Sequence, residues 1–466
     1  MLGMGNMRQW LMNISLVGGW FPAAAFAVIA VLSVTLLVSA AVSKRDGRIL
    51  ATVLPIGVAA VSGMVGYVVA WLLSDVFVVF GVGLGSRVMS WVAAGFAIAG
   101  FAIVHIVLSR GMMRVAAAIL TVFAILAAAI GIDQSYGEYA TIGSLFGEDS
   151  YSQADLTGLA KRKDLITVAQ WRKQAANGTI RNIPANGTVN KIDIPATKSQ
   201  FEARKALVYL PPAALADSKR KPALPVVLML SGQPGSPGRV FQAGGIQTMM
   251  DGYAKTHDGL APIVIAADQL GADSHNTLCV DSKVYGNALT YLTQDVVDWV
   301  KTNLPAAQDA KDWAIAGFSQ GATCSLQIGV KHPDLFGTMI PTDSEIKPTN
   351  GSRQEMIDRF FDGDTTAYEN QVPVNAIRNH APTHQMLIIG AGEKDTTSIR
   401  NVKTIAPVAA KAGMRVAAVE SSGNAHDWHA VQDVLRYGLA VFGHDTGLDG
   451  ANPNLSDYPN LKRITI

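Results

Sequence analysis

Ser319 lies at the centre of Gly317-Phe318-Ser319-Gln320-Gly321. A serine hydroxyl attacks an ester carbonyl when a base within hydrogen-bond reach takes its proton and a third group orients that base. The flanking residues suit such a nucleophile. The apolar run 313–316 reads as a buried strand and 322–331 as a helix with one apolar face, the strand, sharp turn and helix of a nucleophile elbow. Glycine two residues before and two after leaves the space a tight turn needs and also admits positive φ.

The acid and the base are expected further along, in the order serine, acid, histidine, each on a loop after its own strand. After the apolar run 385–389 the chain reads Gly390-Ala391-Gly392-Glu393-Lys394-Asp395, and after 415–419 it reads Ser421-Ser422-Gly423-Asn424-Ala425-His426-Asp427-Trp428-His429. Asp395 is the expected acid, with Glu393 as its alternative, and His426 the expected base, with His429 as its alternative. Asp395 also suits a second role, capping the helix that opens with Thr396-Thr397-Ser398. The tetrahedral intermediate needs N–H donors for its oxyanion. Gln320, directly after the serine, offers one, and Gln233 in the glycine-rich loop Ser231-Gly232-Gln233-Pro234-Gly235 after the run 228–230 offers the other.

The elements that would position these groups alternate from residue 187 onward. Short apolar runs at 189–194, 203–210, 225–230, 262–267, 313–316, 338–341, 385–389 and 415–419 read as strands, and 289–303, 322–331, 399–411 and 430–438 read as helices. This predicts a doubly wound α/β domain over 187–466 with a mainly parallel sheet, whose chemistry sits at the carboxyl ends of the strands. Residues 133–186 are polar and read as an extracytoplasmic linker with a short helix at 165–174.

The first third is different in kind. A chain of 466 residues with 49% hydrophobic and 16% charged residues is too apolar for an ordinary soluble protein. Charge-free runs at 22–42, 49–74, 88–109 and 115–132 each approach the about 20 residues that cross a bilayer core. This predicts a four-helix transmembrane domain over 1–132. Lys44, Arg45, Arg48, Arg110 and Arg114 fall in the loops between spans one and two and between spans three and four, so the N-terminus and the large domain are expected outside. The stretch from Trp10 to Phe21 reads as an interfacial helix. His105 lies near the end of span three, where a lone histidine reads as satisfied by its surroundings.

A net charge of +2 with no concentrated basic face argues against nucleic acid. The basic cluster Lys161, Arg162, Lys163, Arg172 and Lys173 reads as a solvated linker. The nine histidines and two cysteines show no metal-ligand spacing, and no phosphate-binding glycine loop appears. No cofactor is expected. Cys279 and Cys324 both fall in the outward domain, where a disulfide and two buried thiols are both open readings.

These motifs together carry a resemblance. Gly317-Phe318-Ser319-Gln320-Gly321 followed by His332-Pro333-Asp334-Leu335-Phe336, the loop Gly392-Glu393-Lys394-Asp395 and His426-Asp427-Trp428 resemble the putative-esterase branch of the α/β-hydrolase fold, the group that includes esterase D and the antigen 85 mycolyltransferases. With its membrane half and Thr277-Leu278-Cys279-Val280-Asp281, the chain is similar to membrane-anchored hydrolases of actinobacteria. The resemblance implies a serine esterase of the cell envelope. Four spans are more than tethering needs, so the expected substrate is a membrane lipid or envelope ester reached at the outer leaflet, for example aminoacylated phosphatidylglycerol. The resemblance also favours a Cys279–Cys324 bridge. Both hydrolases and acyltransferases occur in that group, and a non-catalytic envelope-binding scaffold would keep the same fold. Ser231 departs from the pattern, standing where relatives carry His or Asp before the oxyanion glycine.

Overall fold

Every apolar run of the α/β region becomes a strand, in a single sheet. The computed structural model describes residues 2–42, 48–77, 79, 84–149, 151–160, 164–180, 182–218 and 220–466. Lys44, Arg45 and the basic run 161–163 lie outside the described residues. The chain divides into two compact units, Met1–Glu148 with Ala425–Asp427, and Asp149–Asn424 with Trp428–Ile466.

The first unit contains four helices long and apolar enough to cross a membrane: α1 (Trp20–Ala41), α2 (Thr52–Val76), α3 (Gly85–Leu108) and α4 (Met112–Tyr136). Small residues let them approach closely. A Cβ on Gly100 would meet the Ser62 hydroxyl at 2.4 Å, and one on Gly131 the Trp91 ring at 2.2 Å, the packing expected where lipid leaves no hydrophobic force between helices. The single interfacial helix expected from Trp10 to Phe21 is not formed. A helix over Leu2–Met12 ends before Gly18-Gly19, and Trp20 opens α1. Gly19 has φ +83°, a conformation that interrupts a helix at little cost only at glycine.

The second unit is built on a ten-stranded sheet. In chain order its strands are β1 (Ser152–Gln153), β2 (Thr188–Ile192), β3 (Ala206–Leu210), β4 (Val226–Leu230), β5 (Ile263–Ala266), β6 (Trp313–Phe318), β7 (Thr338–Thr342), β8 (Met386–Gly392), β9 (Arg415–Ser421) and β10 (Leu461–Arg463). Their spatial order is β1-β2-β3-β5-β4-β6-β7-β8-β9-β10. The run from β5 through β4 and β6 to β9 is parallel throughout, and antiparallel pairs stand on both sides of it. Neighbouring residues within a strand face opposite layers. Leu228, Ile315 and Leu387 pack on one side of the sheet, and Val227, Ala314 and Ile388 on the other. Burial on both faces is what the continuous apolar runs encode.

The N-terminal border of this unit lies earlier than residue 187. Ser152–Gln153 pairs with Asn190–Lys191 as an edge strand. Trp171 is fully buried, and its indole N–H donates to the Asp258 carbonyl at 3.1 Å. The stretch expected to be a linker is therefore divided: from Asp149 onward it packs as part of the hydrolase unit. A two-residue strand and one tryptophan are too short to produce a readable period.

Candidate active site

Ser319 ends β6 and opens helix α5 (Gln320–Lys331) with φ 55° and ψ −116°. Positive φ is costly for any residue carrying a Cβ, so the turn is held by its surroundings. The flanking glycines have a different cause. A Cβ on Gly317 would lie 2.3 Å from the Gly321 carbonyl, and one on Gly321 would lie 2.3 Å from the Ser231 carbonyl oxygen. The glycines thus answer close approach, while the left-handed conformation falls on the serine. The Ser319 N–H donates to the Thr342 carbonyl at 3.0 Å, tying the elbow to the end of β7.

Parallel register brings the neighbouring loops to the same edge. Phe318 stands opposite Thr342, Thr342 opposite Gly390, and Gly392 opposite Ser421. Asp395 follows β8 and is 6% exposed. Its Oδ1 accepts the Ser398 N–H at 3.0 Å as N-cap of helix α6 (Thr396–Lys411). Capping engages one oxygen and leaves lone pairs for a second role. His426 lies on the loop between β9 and helix α7 (Trp428–Asp445), half-buried. Asp343, Asp395 and His426 each present an oxygen or nitrogen within 4.8 Å of the others. Such a group has the spacing to hold a cation. A histidine whose lone pair was bound to one could not take a proton from serine, so we read the cluster as imidazole with carboxylates.

Of the two alternatives, Glu393 has its own partners. Glu393 is exposed and accepts from the Lys462 ammonium at 2.9 Å and the Gly423 N–H at 2.7 Å. These bonds, Lys462 first, hold its carboxyl below the usual range. His429 sits in the first turn of α7, outside that cluster. The histidine loop is pinned by Asp433, which accepts from Ser421 Oγ at 2.7 Å and Asn424 Nδ2 at 3.2 Å.

The expected oxyanion donors sit on two tied segments. Gln320 is the first residue of α5, so its N–H belongs to the turn that intrahelical bonding leaves over. Its buried carboxamide accepts from Gln269 Nε2 at 3.1 Å and donates to Asn276 at 3.3 Å. Gln269 also donates to the Ser231 carbonyl at 2.7 Å, which anchors the start of the loop that carries Gln233. Gln233 is half-buried on the loop after β4, its Nε2 donating to the Ser274 carbonyl at 3.2 Å. That loop is held by Arg204, which donates to the Gly235 carbonyl at 2.9 Å while pairing with fully buried Asp268 at 2.7 and 2.9 Å. Cys279 and Cys324 are bonded to each other, joining the 276–281 loop to α5 five residues beyond the serine. Sequence reading missed Arg204, Asp268, Gln269 and Asp343. The one available signal was position, since Asp268 and Asp343 directly follow strand runs.

A strained serine on an elbow at the carboxyl edge of a parallel sheet defines an α/β-hydrolase. Residues 198–438 match the model of the Esterase family, described as "Putative esterase". An uncharacterised protein of Corynebacterium glutamicum is 32% identical over 333 residues, covering 70% of this chain and 74% of its own. Similar solved structures include a ferulic acid esterase (17% identity, 56% of this chain and 99% of that one, TM-score 0.45). An S-formylglutathione hydrolase from Agrobacterium tumefaciens gives 17% identity over 57% of this chain and 99% of its own, with a TM-score of 0.45. MPT51 of Mycobacterium tuberculosis gives 14% identity over 55% and 98%, with a TM-score of 0.40. The chain belongs to the esterase family and is an enzyme of the hydrolase class.

Proposed function

We propose that this protein is a membrane-anchored serine esterase acting at the outer face of the cytoplasmic membrane on a lipid or envelope ester, with aminoacylated phosphatidylglycerol or another acyl lipid as substrate. The observation that carries the reading is Ser319 at positive φ on the elbow, with Asp395 and His426 held within 4.8 Å of each other at the ends of β8 and β9. Ser319 Oγ attacks the ester carbonyl while its proton passes to His426, and the carbonyl π electrons move to oxygen. The oxyanion is met by the N–H groups of Gln233 and Gln320. Collapse expels the alcohol, which takes the proton from His426. Water then repeats the sequence on the acyl-enzyme, and Asp395 stabilises the imidazolium in both halves.

The outward orientation rests on the basic residues between spans and on the disulfide, which suits an oxidising compartment. A fluorophosphonate probe is the first test. It should label the wild-type protein and leave Ser319→Ala unlabelled, with esterase turnover lower by on the order of 10⁴-fold or more. Undiminished turnover in the variant would move the nucleophile elsewhere. Free acid released from lipid vesicles, against ester formed with an added alcohol, separates hydrolysis from acyl transfer.

A further inference from the structure

Asp343 directly follows β7, between the strand that carries the nucleophile and the strand that carries the acid loop. We propose that it is a second positioning carboxylate for His426, sharing with Asp395 the stabilisation of the imidazolium formed when Ser319 gives up its proton. This rests on the triad reading above.

Asp343 is fully buried, whereas acidic side chains are almost never buried without a purpose or a partner. It adopts φ +54°, uncommon outside glycine. Its placement is set from both sides. Its N–H donates to the Gly390 carbonyl at 2.9 Å, and its Oδ1 accepts the Gly392 N–H at 2.9 Å. The carbonyl of the preceding Thr342 accepts the Ser319 N–H. One short segment thus joins the nucleophile turn to the acid loop, and its carboxylate falls within 4.8 Å of the ligand atoms of both Asp395 and His426.

Two buried carboxylates at that distance repel while the imidazole is neutral, and the repulsion is relieved when a cation forms beside them. The pair therefore favours the charge distribution of the transition state over that of the resting enzyme, which is the form of interaction that raises kcat. A purely structural Asp343 would need only its Oδ1 for the Gly392 bond and its left-handed backbone. Asparagine supplies both without the charge.

Asp343→Asn in the full-length protein is the test, with a short-chain nitrophenyl ester as substrate. The expected result is a 10- to 100-fold lower kcat, a KM within twofold of wild type, and fluorophosphonate labelling of Ser319 slowed in parallel. Asp395→Asn should lose no more than about 100-fold, against the loss of about 10⁴-fold expected where a single aspartate serves the triad. The double variant should lose more than the product of the two single losses, because each carboxylate covers for the other. An Asp343→Asn kcat within twofold of wild type, or single losses that simply multiply, would overturn the proposal. If Asp343→Asn does not fold, the Asp395→Asn result decides alone, with a loss of about 10⁴-fold refuting a shared role. Failure of Ser319 labelling in the wild type would instead defeat the triad reading itself.

Discussion

Ser319 can sit at positive φ because nothing around it gives way, and the glycines are where that constraint can be tested. A methyl group on Gly321 meets two carbonyls of the β4 end, Ser231 and Leu230, at 2.3 and 2.6 Å. Backbone cannot swing aside as a side chain can. Gly321→Ala should therefore cost about 2–4 kcal/mol of stability and displace the elbow, with esterase turnover falling at least about 100-fold. Gly252→Ala is the control. It lies inside a helix over Ile246–Lys255 with nothing within 4 Å of its Cβ position, so it should add about 0.5–1 kcal/mol and leave activity unchanged. Thermal unfolding and nitrophenyl ester turnover read both. The glycine spacing made the elbow legible, because close approach leaves a mark in residue type. Asp343 left none: its importance depends on register between three strands, and one aspartate after an apolar run looks like any turn residue.

The elements bear their own costs. Helix α5 is buried along its whole length up to Val330, and Lys331 ends it half-buried against Gln371. Burial lowers the Lys331 ammonium from its ordinary 10.5 to about 8. A lysine with a depressed folded pKa destabilises the fold fully below pH 8, where both states carry the proton. That penalty fades between about 8 and 10.5 as the folded state alone releases it. Stability should thus gain with pH across that window, and Lys331→Met should unfold at higher denaturant at pH 7, by about 1–2 kcal/mol after the lost hydrogen bond. At pH 10 most of the difference should be gone. Arg204 is the opposite case, a guanidinium that burial disfavours but Asp268 and Asp273 hold charged. Arg204→Met leaves the Asp268 carboxylate buried without its partner, a loss of about 3–5 kcal/mol by analogy with broken buried pairs. It also frees the Gly235 carbonyl, so the loop carrying Gln233, the proposed oxyanion donor, should loosen and kcat should fall. The strands of this layer were readable because burial on both faces writes a continuous apolar run. The Arg204–Asp268 clamp was not, since its partners lie 64 residues apart.

At the scale of the whole chain, the four helices long and apolar enough to cross a membrane were legible from their charge-free runs, whereas the border of the hydrolase unit was not. Residues 149–186 are polar in sequence yet supply β1, the fully buried Trp171 and the Lys191–Asp149 ion pair at 2.8 Å. A chain starting at Gly187 would leave a tryptophan-sized void, worth about 3–5 kcal/mol, and expose the β2 edge. It should aggregate or unfold, whereas residues 149–466 should fold with the Cys279–Cys324 bond intact. That longer fragment then tests what the four helices contribute. It retains Ser319, Asp395 and His426, but Ala425–Asp427 group with the residues removed, so its rate on a soluble short-chain nitrophenyl ester, relative to the full-length enzyme in detergent, is the reference against which its rate on lipid is read. On an acyl lipid in vesicles the comparison changes. On the proposed reading, an anchored enzyme meets a lipid substrate confined to a surface, where tethering raises the effective concentration of the reacting groups, and gains of about 10²-fold or more are ordinary for such linkage. The fragment must instead find the bilayer from solution at every turnover. Its rate on vesicles should be at least about 10-fold below that of full-length protein reconstituted in the same lipid, with the gap closing when the lipid is dispersed in detergent micelles. Equal rates on vesicles would mean that the membrane half does not serve lipid hydrolysis, and the substrate would then be sought among soluble envelope esters.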